Sequence, residues 1–182
     1  MFRKLHNNQL KRVSLDKFIT MPKMPLVILL DNVRSQHNIG SAFRTADAFA
    51  AEAVILCGIC ATPPSAEIRK AALGAEESIK WEYYQNSKEA LIHYKEMGYT
   101  VLCAEQTENS VMLNNFTPVL NSRYLIVFGN EVKGVSQELI DLSDGTIEIP
   151  QYGTKHSLNV SVSIGIVLWD ISSKLKKDTP DD

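Results

Sequence analysis

No apolar run in this 182-residue chain approaches the roughly 20 residues that a membrane-spanning helix needs, which excludes a helical transmembrane protein. The opening stretch, Met1 to Phe18, is polar and lacks the apolar core of a secretion signal. Cysteine is scarce. Cys57, Cys60 and Cys103 are an odd number without a disulfide framework, so a reducing, cytoplasmic location is expected. Cys57-Gly58-Ile59-Cys60 is a lone Cys-x-x-Cys. A zinc site would need two further ligands, which Cys103 alone does not supply, so strand packing is the reading preferred and no metal is expected. Internal repeats and low-complexity segments are absent.

Several catalytic signatures are missing as well. Gly129-Asn130-Glu131-Val132-Lys133-Gly134 has the spacing of a phosphate-binding loop, but Val135 stands where that loop needs lysine. Nothing there could reach a β- or γ-phosphate, which excludes a nucleoside triphosphatase. No Gly-x-Gly-x-x-Gly follows the first apolar run, so a dinucleotide site is unsupported. No Gly-x-Ser-x-Gly elbow offers a hydrolase nucleophile. Of four histidines only His37 and His156 adjoin polar loops, and simple exposure accounts for both. The net charge of −2 does not announce a nucleic-acid binder. Its distribution is more suggestive: residues 1–24 carry Arg3, Lys4, Lys11, Arg12, Lys17 and Lys23 against Asp16, and Lys174, Lys176 and Lys177 close the chain's last apolar segment. Such patches can follow a phosphate backbone, although a solvated helical surface explains them equally well.

What is present is an alternation. Leu26 to Leu30, Ala53 to Cys57, Tyr99 to Cys103 and Tyr124 to Phe128 are continuous apolar runs of the kind covered on both faces of a sheet. Ser78 to Tyr84 and Thr146 to Pro150 add two strand candidates. Between them lie helical patterns at Ala42 to Ala50, Ala66 to Leu73, Ser87 to Met97, Ser136 to Leu142 and Val160 to Leu175. This predicts an α/β fold, a mostly parallel sheet with helices on both faces. The expected organisation is a short basic helical extension (1–24), one domain (25–175) and a polar tail (176–182). Leu5, Leu10, Val13 and Leu15 of the extension are expected to dock on the body, and Pro22 and Pro25 to end its helix.

Ligands of open α/β sheets sit where strands stop and loops begin. Three loops qualify. Asp31 to Gly40 carries Asn38-Ile39-Gly40, where Asn38 can cap a helix and Gly40 permits close backbone approach, followed by Arg44 on an alanine-rich segment. The arginine fork suits a phosphate or carboxylate, with Glu131 as a possible internal partner. Phe128-Gly129-Asn130-Glu131 with Gly134 is the second loop, and Ile149-Pro150 followed by Ser157-Leu158-Asn159 the third.

Together and in this order, the three motifs resemble those of the SpoU (TrmH-type) RNA 2′-O-ribose methyltransferases of the SPOUT superfamily, over residues 25–173. The resemblance implies an α/β-knot with a C-terminal trefoil, S-adenosylmethionine bound in it, and a homodimer whose active site is completed across the interface. It implies a cofactor pocket of Ala104, Glu105, Gly129, Ile149, Ser157 and Leu158, with Arg44 as the main catalytic residue. Asn38, Glu131, Ser157 and Asn159 would shape the site. Arg3, Lys4, Lys11, Arg12 and Arg44 would contact RNA, tRNA being favoured over rRNA because the extension is short. An RNA-binding protein without methyl transfer, and a small-molecule enzyme on the same sheet, are the rival readings.

Overall fold

The computed structural model describes residues 2–6, 9–10 and 12–177. Lys11 and the tail 178–182 lie outside the described residues.

Seven strands form one sheet: β1 (Met24–Asp31), β2 (Ala51–Cys57), β3 (Lys80–Tyr84), β4 (Tyr99–Ala104), β5 (Val111–Met112), β6 (Arg123–Phe128) and β7 (Gly145–Glu148). Their order is β3-β2-β1-β6-β4-β7-β5, and every ladder is parallel. The helices are α1 (Leu15–Thr20), α2 (Gln36–Ala48), α3 (Ala66–Ala72), α4 (Ala75–Ser78), α5 (Ser87–Glu96), α6 (Gln137–Leu142) and α7 (Val160–Lys177).

The period-two geometry of a strand divides β1 between two cores. Leu26, Ile28 and Leu30 join Ile39 and Phe43 of α2, Ile68 of α3 and Ile164 and Leu168 of α7. Val27 and Leu29 face the other way, onto Ala90 and Leu91 of α5 and Leu139 of α6. All five of these β1 side chains are fully buried, each contributing about 1.5–3 kcal/mol of hydrophobic stabilisation. The continuous apolar runs thus mark strands covered on both faces, as expected. Pro25, which lacks an N–H, falls where the β1–β2 register shifts between Met24 and Val27.

Two expectations need correction. The loop after β1 is shorter than its polar composition suggests, because α2 begins at Gln36. Ser35 is the N-cap, its side chain accepting from the Asn38 backbone N–H at 3.2 Å, so Asn38 lies inside the helix and does not cap it. The extension is helical only over Leu15–Thr20. Leu5, Leu10, Val13 and Leu15 remain 40–53% exposed, while Phe18 is the one residue buried among the described residues of the extension. Six residues closed by the Ser14 cap form no long amphipathic stripe.

Gly40 is where α2 crosses α3. A Cβ there would overlap the Ile68 carbonyl oxygen and lie 2.7 Å from the Ala71 Cβ. The close approach foreseen at this glycine is therefore to a neighbouring helix. Gly40→Ala should improve helix propensity yet lower stability by about 1–3 kcal/mol through overpacking, as denaturant titration would report. A gain in stability would mean that α3 can shift away freely.

Candidate functional site

Three loops converge at the carboxyl ends of β4, β6 and β7 around a cavity of about 570 Å³. That volume lies within the ordinary range for small-molecule sites. Ala104, Glu105, Gly129, Ile149, Ser157 and Leu158, the six residues expected to hold a cofactor, all line it.

The Gly129–Gly134 loop folds back on itself. Asn130 and Gly134 exchange backbone hydrogen bonds of 2.9 and 3.1 Å. The Asn130 side chain accepts from the N–H groups of Val132 and Lys133 at 2.9 and 3.2 Å. A Cβ on Gly129 would overlap the main chain of Gly134 and Val135, so this reversal admits only glycine. Gly134 has φ +67°, a region glycine enters without strain. Glu105 braces the loop from β4, its carboxylate accepting from Val135 N–H at 2.8 Å and from Gln106 N–H at 2.9 Å.

Glu131 turns the other way. Its carboxylate accepts from the N–H groups of Arg34 and Ser35, each at 3.0 Å, and from the Asn38 side-chain amide at 3.1 Å. The Asn38 amide oxygen in turn accepts from Asn159 at 3.3 Å, and Asn159 accepts from Ser161 N–H at 2.8 Å at the start of α7. The three motifs are thereby joined side chain to side chain. Burial works to raise the Glu131 pKa, but donors from the Arg34, Ser35 and Glu131 backbones and from Asn38 outweigh it and hold the carboxyl below its ordinary value.

Arg44 is placed differently from expectation. Glu131 is occupied elsewhere, and among the described residues no ion pair or hydrogen bond holds Arg44. It is exposed, and lines a groove shared with Arg12, Val13 and Phe18 rather than the cavity. Helical geometry explains this. Six residues beyond Asn38, Arg44 is about 9 Å further along α2 and about 120° around it. Asn38 itself is buried and acts as a connector between Glu131 and Asn159. Arg3 and Lys4 are exposed in a segment without regular structure. Lys174 faces inward, donating to the Leu113 and Phe116 carbonyls at 2.7 and 2.8 Å, so it does not join a basic patch.

The cysteines are core residues. Burial pushes Cys57 and Cys103 up to about 12 and Cys60 up to about 11, and Cys60 donates to the Leu30 carbonyl at 3.3 Å. No cluster of metal-binding side chains occurs among the described residues. Among the lining residues that the sequence did not mark are Gln106 and Gln151. The Gln106 side chain donates to the His156 carbonyl at 3.0 Å, linking two parts of the cavity wall. A single glutamine beyond a strand carries no pattern that would single it out.

Charge and shape fit S-adenosylmethionine. Glu105, Glu131 and Glu148 outnumber Lys133 around the cavity, which favours a cationic sulfonium, while Ile149, Leu158 and Val160 supply apolar wall for a purine ring. A parallel sheet carrying such a cavity at its strand ends, beside a glycine-closed loop, defines an α/β fold with a small-molecule site. The chain belongs to the SpoU rRNA Methylase family, whose model it matches over residues 25–169. It is 33% identical over 149 residues to a tRNA (guanosine(18)-2′-O)-methyltransferase of Aquifex aeolicus, covering 80% of this chain and 67% of that protein. It is 32% identical over 162 residues to the 23S rRNA (guanosine-2′-O-)-methyltransferase RlmB of Vibrio vulnificus, covering 89% of this chain and 64% of that one. Among solved structures, the A. aeolicus TrmH/SpoU tRNA modifying enzyme superposes with a TM-score of 0.79 at 26% identity, over 90% of this chain and 81% of the other. An AdoMet-bound rRNA methyltransferase from Sinorhizobium meliloti gives 0.76 at 27% identity, over 84% and 58%. The chain thus spans about two thirds of the length of these curated relatives.

Glu131 yields a prediction with a definite sign. A carboxyl held below its unfolded pKa stabilises the fold above that unfolded value and loses the contribution as pH falls through the folded one. Wild type should therefore melt higher than Glu131→Gln at neutral pH, and the gap should close below about pH 4.3, the ordinary glutamate value. A gap unchanged down to pH 3 would refute the role of the charge.

Proposed function

We infer that the chain transfers a methyl group from S-adenosylmethionine to a ribose 2′-hydroxyl of RNA. The observation that carries this is the cavity itself: the second and third motifs, with the end of β4, enclose a site suited to that cofactor, and the first motif is tied to them through Asn38, which bonds Glu131 and Asn159. When bound, S-adenosylmethionine supplies an activated sulfonium methyl. The protein's own work is positional. Backbone groups of the Gly129–Gly134 loop and of Ser157 and Leu158 would orient the cofactor, and Ile149 and Leu158 would keep water from its ring. A guanidinium offers donors and no acceptor, so the role proposed for Arg44 is that of a clamp, gripping an RNA phosphate and stabilising the alkoxide charge that develops on the 2′-oxygen.

Arg44 and the cavity lie apart in one protomer, and a homodimer resolves this by presenting Arg44 to the partner's cavity. The outer face of α7 supports such an assembly. Val162 is 48% exposed and Trp169 60%, apolar side chains on a helix whose Ile164, Val167, Leu168 and Ile171 are buried. A trefoil path through β6, β7 and α7 belongs to the same reading. The substrate proposed is tRNA rather than rRNA, in line with the Aquifex aeolicus tRNA enzyme, 33% identical and covered over 67% of its length against 32% and 64% for the Vibrio vulnificus rRNA enzyme, and the location proposed is the cytoplasm. A binding protein without methyl transfer is disfavoured, since Arg44, Glu131, Ser157 and Asn159 are all in place.

Incubation with labelled S-adenosylmethionine and total tRNA or rRNA, followed by nucleoside analysis, tests the activity. A 2′-O-methyl nucleoside from tRNA is expected. No transfer to either pool, with the cofactor bound, would favour the binding-only reading. Arg44→Ala should retain cofactor affinity and lose about 100-fold or more of turnover. Mixing Arg44→Ala with the cavity variant Leu158→Arg should restore part of the activity through heterodimers. No restoration would place Arg44 and its cavity in the same protomer.

A further inference from the structure

At the carboxyl end of β1, behind the cavity, Asp31 is 4% exposed. One oxygen, Oδ1, accepts from the Ser87 hydroxyl at 2.6 Å and from the Asn32 side-chain amide at 2.7 Å. Asn32 takes a left-handed conformation, φ 55°, which asparagine tolerates better than most residues. All its polar side-chain groups are engaged. Nδ2 donates to Asp31, and Oδ1 accepts from Ile59 N–H at 3.2 Å in the turn after β2. Gly58 makes room for this, because a Cβ there would overlap Oδ1. The Asn32 carbonyl then accepts from the Asn130 amide at 2.7 Å. Asn130 is the residue whose Oδ1 organises the Val132 and Lys133 N–H groups in the cavity loop.

We propose that Asn32 is a positioning residue for the cofactor site: fixed by buried Asp31, it aims its main-chain carbonyl at Asn130 and thereby sets the shape of the Gly129–Gly134 loop. This rests on the reading of the cavity as the cofactor site. Asn32 does not line that cavity, so its effect travels through one hydrogen bond. The anchor holds Asn130 from outside the loop, while Glu131, the next residue, is held by Arg34 and Ser35 on the far side of the same turn. Consecutive loop residues are thus tied to the same β1–α2 connection at two points, and removing one tie leaves the loop free to pivot on the other.

The test uses Asn32→Gly, which accepts φ 55° without strain and keeps the carbonyl but loses both side-chain ties. Binding of S-adenosylmethionine is measured by calorimetry, and backbone exchange at residues 132–134 by hydrogen–deuterium mass spectrometry. We expect affinity to fall about tenfold, the value of roughly one hydrogen bond, with faster exchange at 132–134 and protection of β1 and β6 retained. Asn121→Gly, the same change at an exposed left-handed asparagine far from this network, serves as the control and should alter neither readout. Asn130→Ala, which also removes the acceptor of the Val132 and Lys133 N–H groups, should lose at least as much, and adding Asn32→Gly to it should cost nothing further, because their common link is already broken. Wild-type binding with unchanged affinity and exchange in Asn32→Gly would overturn the positioning role alone. Failure of wild type to bind would overturn the cofactor reading and this proposal with it. Equal acceleration of exchange throughout the sheet would mark Asn32 as merely structural and would also overturn it.

Discussion

The arrangement of this site depends on one carboxylate. Glu131 is the residue in which three sequence motifs meet. It accepts two backbone N–H groups from the turn entering α2 and one amide hydrogen from Asn38, which in turn holds Asn159 at the head of α7. None of these loops has a core of its own. The sheet brings their ends close, but closeness does not set the orientation of polar loops. Orientation comes from charge-assisted hydrogen bonds, which are shorter and stronger than neutral ones. Without Glu131 two backbone N–H groups and the Asn38 amide would lose their acceptor together, and for buried Asn38 an unsatisfied donor costs more than the bond gains.

The fold was largely legible because its signal is redundant. A strand covered on both faces must be apolar at every position, and Leu26 to Leu30 or Tyr124 to Phe128 can hardly be read otherwise. Boundaries were less legible where capping competes with composition. Gln36-His37-Asn38 reads as loop, yet Ser35 nucleates a helix through it. The extension misled in the opposite direction, since scattered leucines suggested a docking face where Phe18 alone is buried. Val111–Met112, two residues that complete the sheet's edge, carry no pattern long enough to recognise.

At the site, residue identity was more legible than residue geometry. The six expected cavity residues do converge, because each follows a strand end and the strands β4, β6 and β7 are neighbours or near neighbours. Resemblance to a family picks out which positions matter but not what each touches. Asn38 looked like a cap and is a connector; the close approach that Gly40 permits is a helix crossing. Asn32 and Gln106 had no signal, since their importance lies in a carbonyl direction and in one cross-cavity bond. Such roles depend on tertiary neighbours far away in sequence, which spacing does not encode.

The position of Arg44 is the most consequential geometric fact, because one helix cannot serve two directions. The face of α2 that carries Asn38 is committed to binding the loops together, and the face that carries Ile39, Ala42 and Phe43 to the core. Arg44 occupies what remains, exposed beside Arg12 in a separate groove. A guanidinium exposed there, with no partner among the described residues, suits capture of a phosphate from solvent. It cannot, from that place, stabilise charge developing in its own protomer's cavity, since electrostatic stabilisation requires donors already at hydrogen-bond range. In the dimer proposed above, a second protomer would bring such a group to the cavity without dismantling the Glu131 network, and symmetry would supply the reciprocal contact at no cost in new sequence. On this reading the net charge of −2 is no obstacle to an RNA substrate. What the substrate meets is a local field from cations such as Arg12 and Arg44, and charges buried or paired beyond a Debye length contribute little to it.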